Sequence, residues 1–143
     1  MNAFRCFILA LAVAASGCTF GAPSAGSSTL AGATTIAVNL SSFLQGYSPD
    51  VLTVAVGTRI QFTNTDSFAH TATSISAAAF PAASPFDGAA LTASGSALST
   101  PWSSGNLTAG ATSSVFVADR SGTYLFGCFY HYGHPMQGEI VVR

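Results

Sequence analysis

Short runs with strand periodicity, each bounded by turn residues, recur along this chain from residue 34 to its end. In RIQFT, residues 59–63, Ile60 and Phe62 fall on one face and the polar residues fall on the other. Further runs are TIAVNL, LTVAV, SSVFVAD, GTYLFGC and EIVVR. Because each strand has an apolar face to bury, the pattern predicts an all-β sandwich of two stacked sheets.

One segment, residues 75–101, does not follow this pattern. It is rich in alanine and serine and holds several prolines, so no regular strand spacing is visible. We expect an irregular insert here, with a short helix near residues 89–93.

The first 18 residues, MNAFRCFILALAVAASGC, have the features of an export signal. A basic residue is followed by an apolar run that is too short to remain in a bilayer as a spanning helix. The end, AASGC, resembles the bacterial lipobox, although Ala15 stands where leucine is usual. We therefore expect a lipoprotein signal peptide over residues 1–17 and a lipid on Cys18. Ordinary secretory cleavage near Ala14 or Ala15 is the alternative.

These signals divide the chain into three parts. After the signal peptide, residues 18–33 lack periodicity and indicate a flexible tether, unless the first strand begins earlier. Residues 34–143 form the folded domain. We expect the protein to be exported to the periplasm or cell envelope and to contact a membrane only through its lipid anchor.

Export changes the meaning of the cysteine count. Cys6 leaves with the signal peptide and a lipidated Cys18 cannot form a disulfide, so Cys128 is left alone. An unpaired thiol is a liability in an oxidising compartment unless a bound group occupies it.

Charged residues are scarce, and this argues against several classes of function. The chain has four basic and five acidic residues and a net charge of −1, so it offers no basic patch for nucleic acid. The sequence also shows no catalytic triad, glycine-rich phosphate loop or Cys-x-x-Cys motif. We therefore expect neither an enzyme nor a nucleic-acid partner.

The closing stretch GTYLFGCFYHYGHPMQGEIVVR concentrates residues that bind metals. Cys128, His131 and Met136 form Cys-x2-His-x4-Met in one loop between two strands. His70 lies at the end of another strand. A thiolate with two imidazoles and a weak thioether is the donor set of blue copper. The four side chains predict one copper ion that alternates between Cu(I) and Cu(II) and carries single electrons.

The chain resembles the cupredoxins, and within them the plastocyanin and pseudoazurin branch. The matching stretches are GTYLFGCFYH, MQGEIVV and SPDVLTVAVGTRIQFTNTDSFAHTATS. This resemblance implies an eight-stranded Greek-key sandwich and one-electron transfer without turnover of a substrate. The copper ligands that it implies are His70, Cys128, His131 and Met136.

Two residues depart from the family pattern. His134 is an additional histidine in the ligand loop and is the alternative to His131 as a ligand. Thr71 follows His70 where the family often has an asparagine, a residue that ties the two ligand loops together. A threonine hydroxyl provides a single donor, so the surroundings of the copper thiolate differ here.

The resemblance also implies how the protein meets its partners. In the family, the histidine of the ligand loop reaches the surface through an apolar patch, formed here by Phe129, Tyr132 and Pro135. We expect a monomer that makes transient contacts with redox proteins of the cytochrome or oxidase type. The alternatives are a copper chaperone or buffer without an electron-transfer role, and an envelope lipoprotein with the same sandwich and no metal.

Overall fold

The computed structural model describes residues 32–38 and 46–143 of the chain. The predicted signal peptide over residues 1–17, the lipidation site Cys18 and almost all of the predicted tether over residues 18–33 lie outside these described residues. No helix within the described ranges is long and apolar enough to cross a membrane.

Eight strands within the described residues form two four-stranded sheets. The strands are β1 (Thr34–Val38), β2 (Tyr47–Ser48), β3 (Val51–Val54), β4 (Arg59–Asn64), β5 (Thr73–Ile75), β6 (Phe116–Val117), β7 (Gly122–Gly127) and β8 (Gln137–Val142). The sheet orders are β2-β1-β4-β6 and β3-β8-β7-β5. This arrangement confirms the predicted all-β, Greek-key sandwich of about eight strands.

Strands β3 and β4 belong to different sheets, although only a short turn separates them. Strand β3 pairs in parallel with β8, and β4 pairs in parallel with β1. Gly57 makes the turn with a φ of 88°, a left-handed value that residues with a side chain rarely adopt. Its N–H donates to Ala118 O at 2.8 Å. The apolar run therefore crosses the sandwich instead of forming a hairpin.

The apolar faces of the two sheets meet in an aromatic core. Ile60 and Phe62 of β4 are fully buried, as their alternation predicts. Phe62 stacks on Trp102 with ring centroids 5.6 Å apart, and it meets Phe126 of β7 edge-on at 5.2 Å. The core thus joins the sheets through β4 and β7, the two strands that lead to the predicted ligands.

The predicted insert is ordered by its contacts with β6, an edge strand. A 3-10 helix at Gly88–Leu91 lies close to the predicted position at residues 89–93. Farther along, Leu98 N donates to Val117 O at 3.0 Å, and Val117 N donates to Ser96 O at 2.8 Å. The insert therefore covers the free edge of β6 with backbone hydrogen bonds.

The two ends of the sandwich differ in what they carry. Strands β4 and β7 run toward one end, where His70 and Cys128 follow them. Strand β1 is parallel to β4, with Thr34 opposite Ile60, so β1 begins at the other end. Any segment that precedes Thr34 is therefore attached away from the predicted ligands.

Candidate metal centre

The loop that follows β7 is closed by backbone hydrogen bonds. Cys128 N donates to Met136 O at 3.2 Å, and Met136 N donates to Gly133 O at 2.5 Å. Gly46 lies against this loop, because a Cβ at that position would be 2.0 Å from Pro135 O. The missing side chain at residue 46 lets the loop pack closely against the residue before β2.

His70 is held by an isolated β-bridge with Leu107 beyond the end of β4. The sequence pattern places His70 at a strand end, whereas β4 ends at Asn64. His70 N donates to Leu107 O at 3.0 Å, and Leu107 N donates to His70 O at 2.8 Å. The buried Asn64 amide donates to the carbonyls of Phe68 and Leu107 at 2.7 and 2.8 Å. These bonds fix the His70 backbone beyond the end of β4.

Three of the four predicted ligands converge. Cys128 Sγ lies 3.8 Å from His70 Nδ1 and 3.8 Å from His131 Nδ1, and the three donor atoms lie within 4.8 Å of one another. For a first-row metal with bonds of about 2.0–2.3 Å, a donor separation of about 3.8 Å corresponds to an angle near 120°. The sulfur and the two nitrogens therefore fit around a single metal ion.

Met136 and His134 differ in burial. Met136 is fully buried and belongs to the same core cluster as Cys128. Its role as a fourth, axial ligand stays a prediction. His134 is exposed and is not a member of the three-donor group, which favours His131 as the histidine ligand of this loop.

Thr71 connects the two ligand-bearing loops. Phe129 N donates to Thr71 Oγ1 at 2.9 Å, and Thr71 N donates to Cys128 Sγ at 3.4 Å. The Tyr47 hydroxyl in turn donates to Thr71 O at 2.6 Å. Thr71 thus makes the tie that the resemblance implies for its position, with a hydroxyl in place of an amide.

The surroundings of Cys128 and His131 favour the protonation states in which these two side chains bind a metal. Burial raises the pKa of the Cys128 thiol, but hydrogen bonds from His70 and from Thr71 N–H outweigh burial and hold that pKa below its usual value. Burial lowers the pKa of His131, and the neighbouring His70 lowers it further. Thiolate and neutral imidazole are the forms that bind metal ions.

Sequence reasoning missed one member of the site, Asp66. Its Oδ2 lies 3.0 Å from His70 Nε2, and the two side chains are 1% and 0% exposed. Burial lowers the pKa of His70, but hydrogen bonds with Cys128 and Asp66 outweigh burial and raise that pKa. The available signal was an acidic residue four positions before the histidine, in a chain with only five acidic residues.

The Tyr130 ring lies beside the half-buried His131, with ring centroids 6.1 Å apart. The three residues of the predicted docking patch, Phe129, Tyr132 and Pro135, are all half-buried. Two other aromatics are more accessible than these three, because Phe68 is 65% exposed and Tyr130 is 43% exposed. Sequence reasoning did not single out Phe68, which lies in the turn before His70 and has no strand periodicity to mark it.

Tyr132 links the ligand loop to the insert. Its hydroxyl donates to Pro81 O at 2.8 Å, and its ring meets the Phe86 ring edge-on with centroids 5.6 Å apart. Gly127, the residue before Cys128, leaves room for this contact, since a Cβ there would be 3.1 Å from Tyr132 and 3.2 Å from Phe86. The insert therefore braces the ligand loop from outside.

A family model, copper binding proteins of the plastocyanin/azurin family, matches residues 34–143. No curated protein matches the chain. Among solved structures, a purple cupredoxin from Nitrosopumilus maritimus is 23% identical with a TM-score of 0.52, over 76% of this chain and 98% of that one.

Two further structures show the same fold. A reduced amicyanin mutant is 19% identical with a TM-score of 0.51, over 79% of this chain and 84% of that chain. The copper-containing nitrite reductase NirK from Thermus scotoductus SA-01 is 22% identical with a TM-score of 0.51, over 78% of this chain but only 22% of the reductase. At these identities the likeness shows the fold alone.

Proposed function

Because this chain belongs to the plastocyanin/azurin family of copper-binding proteins, we propose that it carries single electrons through one type 1 copper centre. The observation that carries the proposal is the convergence of Cys128 Sγ, His70 Nδ1 and His131 Nδ1 within 4.8 Å. These three side chains would hold the copper ion, and Met136 would supply a fourth, weaker donor.

Copper bound to these donors supplies a one-electron couple, Cu(II)/Cu(I). The task of the protein is to hold the donors in one place in both oxidation states. Backbone hydrogen bonds from Cys128 to Met136 and between His70 and Leu107 restrain the two ligand segments. Thr71 ties these segments to each other through Phe129 N. This rigidity supports rapid electron transfer, because little has to move when the charge changes.

We propose that electrons leave and enter through His131. Its side chain is half-buried, whereas His70 and Cys128 are fully buried. The exposed rings of Phe68 and Tyr130 support an apolar contact with a redox partner of the cytochrome or oxidase type. A contact of this kind is short-lived and suits a monomeric carrier.

The proposed role is that of a carrier and not of an enzyme. The nitrite reductase that shares the fold is a far longer protein, since this chain spans 22% of it. With a thiolate, two imidazoles and a thioether assigned to copper, the centre keeps no open position for a substrate.

Lipid anchoring at Cys18 in the periplasm or cell envelope is part of the proposal. The lipobox-like end AASGC supports the anchor, and β1 begins at the end of the domain away from the ligands. A tether attached there would leave the His131 end free to meet a partner.

Spectroscopy with matched variants tests the proposal. The purified protein with Cu(II) should be intensely blue and show narrow hyperfine splitting in electron paramagnetic resonance. Cys128→Ser should abolish the colour, because it removes the thiolate. The control His134→Ala should keep the colour, because that histidine lies outside the donor group.

Two outcomes would contradict electron transfer. A colourless copper protein would exclude a type 1 centre. A blue protein that gives up copper readily to a chelator and exchanges no electrons with cytochromes would favour the chaperone or buffer.

A further inference from the structure

We propose that Asp66 is a positioning residue that lowers the reduction potential of the copper centre by binding the remote nitrogen of His70. The inference rests on the proposed function. It concerns a carboxylate that touches no metal and acts only through the imidazole.

The geometry assigns different tasks to the two nitrogens of His70. Nδ1 faces Cys128 Sγ at 3.8 Å, whereas Nε2 faces Asp66 Oδ2 at 3.0 Å. When Nδ1 binds the metal, the ring proton must reside on Nε2, so Nε2–H donates and the carboxylate accepts. Asp66 thereby selects the tautomer that leaves Nδ1 free for copper.

The carboxylate is itself held in place. Asp66 Oδ1 accepts from Ser67 N at 2.6 Å and from Ser67 Oγ at 3.4 Å. Asp66 N donates to Asn64 Oδ1 at 2.8 Å, and the Asn64 amide is bonded to two carbonyls of the surrounding loops. The imidazole plane of His70 is therefore set by a fixed acceptor and not by a mobile side chain.

Burial gives the charge of Asp66 its effect. The Asp66 side chain is 1% exposed and that of His70 is 0% exposed, so water does not screen the interaction. A negative charge behind the imidazole stabilises Cu(II) more than Cu(I), because Cu(II) carries one more positive charge. Reduction takes one electron from the redox partner and leaves the Nε2 proton in place, so the carboxylate opposes reduction.

Asp66→Asn is the direct test, because an asparagine oxygen can still accept from Nε2–H while the charge is removed. Mutation of a side chain that hydrogen-bonds to a metal ligand typically lowers metal affinity by about 10–100-fold. We expect the ratio of Cu(II) to Cu(I) affinity to fall about tenfold, which raises the reduction potential by about 59 mV.

The matched control is Asp119→Asn. It changes the charge equally, but Asp119 precedes the start of β7 and lies at the end opposite Cys128. We expect the reduction potential of the Asp119→Asn protein to differ from that of the unchanged protein by less than a third of the shift caused by Asp66→Asn. An Asp66→Asn protein with the potential of the unchanged protein would overturn the inference.

These outcomes separate the two proposals. If the unchanged protein is blue and only the shift is missing, the role of Asp66 is wrong while the electron carrier stands. If the unchanged protein is colourless, both are wrong.

A second measurement applies if Asp66→Asn does not fold. Nitrogen-15 and proton resonance on the unchanged Cu(I) protein should show a slowly exchanging Nε2 proton on His70. A His70 with no proton on Nε2 would overturn the inference.

Discussion

Replacing Thr71 by valine removes one hydroxyl from the contact between the two ligand loops. Thr71 Oγ1 accepts the Phe129 N–H at 2.9 Å, and Thr71 is 0% exposed. Valine has nearly the same shape but cannot accept, so the Phe129 N–H loses its partner. The bond from Thr71 N to Cys128 Sγ uses the backbone and is retained.

The expected loss of stability follows from the unpaired donor. Phe129 is half-buried and Thr71 is fully buried, and a donor left without its acceptor inside a protein costs about 1–3 kcal/mol. For a domain of this size, 1 kcal/mol lowers the melting temperature by about 4 °C, so we expect a fall of about 4–12 °C. Because the backbone bond to sulfur remains, the blue absorption should persist.

Thermal or denaturant unfolding of the copper-loaded protein measures this effect. The control is Thr63→Val in β4, whose hydroxyl pairs with the Thr112 hydroxyl at 3.0 Å in a half-buried position. Loss of the Thr63 hydroxyl should lower the free energy of unfolding by less than about 1 kcal/mol, because the remaining Thr112 hydroxyl can rotate to another acceptor. If Thr71→Val unfolds like the unchanged protein, the hydroxyl does not tie the loops together.

Two further predictions concern the ligand loop and the opposite end of the domain. Gly46→Ala would place a Cβ 2.0 Å from Pro135 O, so the ligand loop must shift. We expect a titration with copper to show weaker binding. Unchanged binding would show that the ligand loop moves without affecting the copper ligands. Hydrogen bonds from Ser99 lower the pKa of Asp119, so its stabilising effect is present above the unfolded-state pKa and is lost as pH falls through the folded-state pKa. Asp119→Ala should therefore lose more unfolding free energy at neutral pH than in acid, and an equal loss at both would contradict this account.

The fold was largely predictable because its signals are local. Alternation identified Ile60 and Phe62 as core residues, and both are fully buried. The same local signals did not show that β3 and β4 enter different sheets, since that depends on pairing with β8 and β1. The strand boundary before His70 was also wrong, because the side chain of Asn64 ends the strand with bonds that periodicity does not reveal.

The sequence by itself determined which atoms were available to a metal: the thiol of Cys128, two imidazoles and a thioether in a short closing stretch, and a third imidazole at His70. Only the tertiary structure decided which of them meet, because Cys128 and His70 are 58 residues apart and strand pairing brings them to 3.8 Å. The tertiary structure also showed that His131 is half-buried whereas His134 is exposed, and that Asp66 contacts the Nε2 atom of His70. Donor chemistry is a property of single residues, whereas convergence and screening from water are properties of the packed chain.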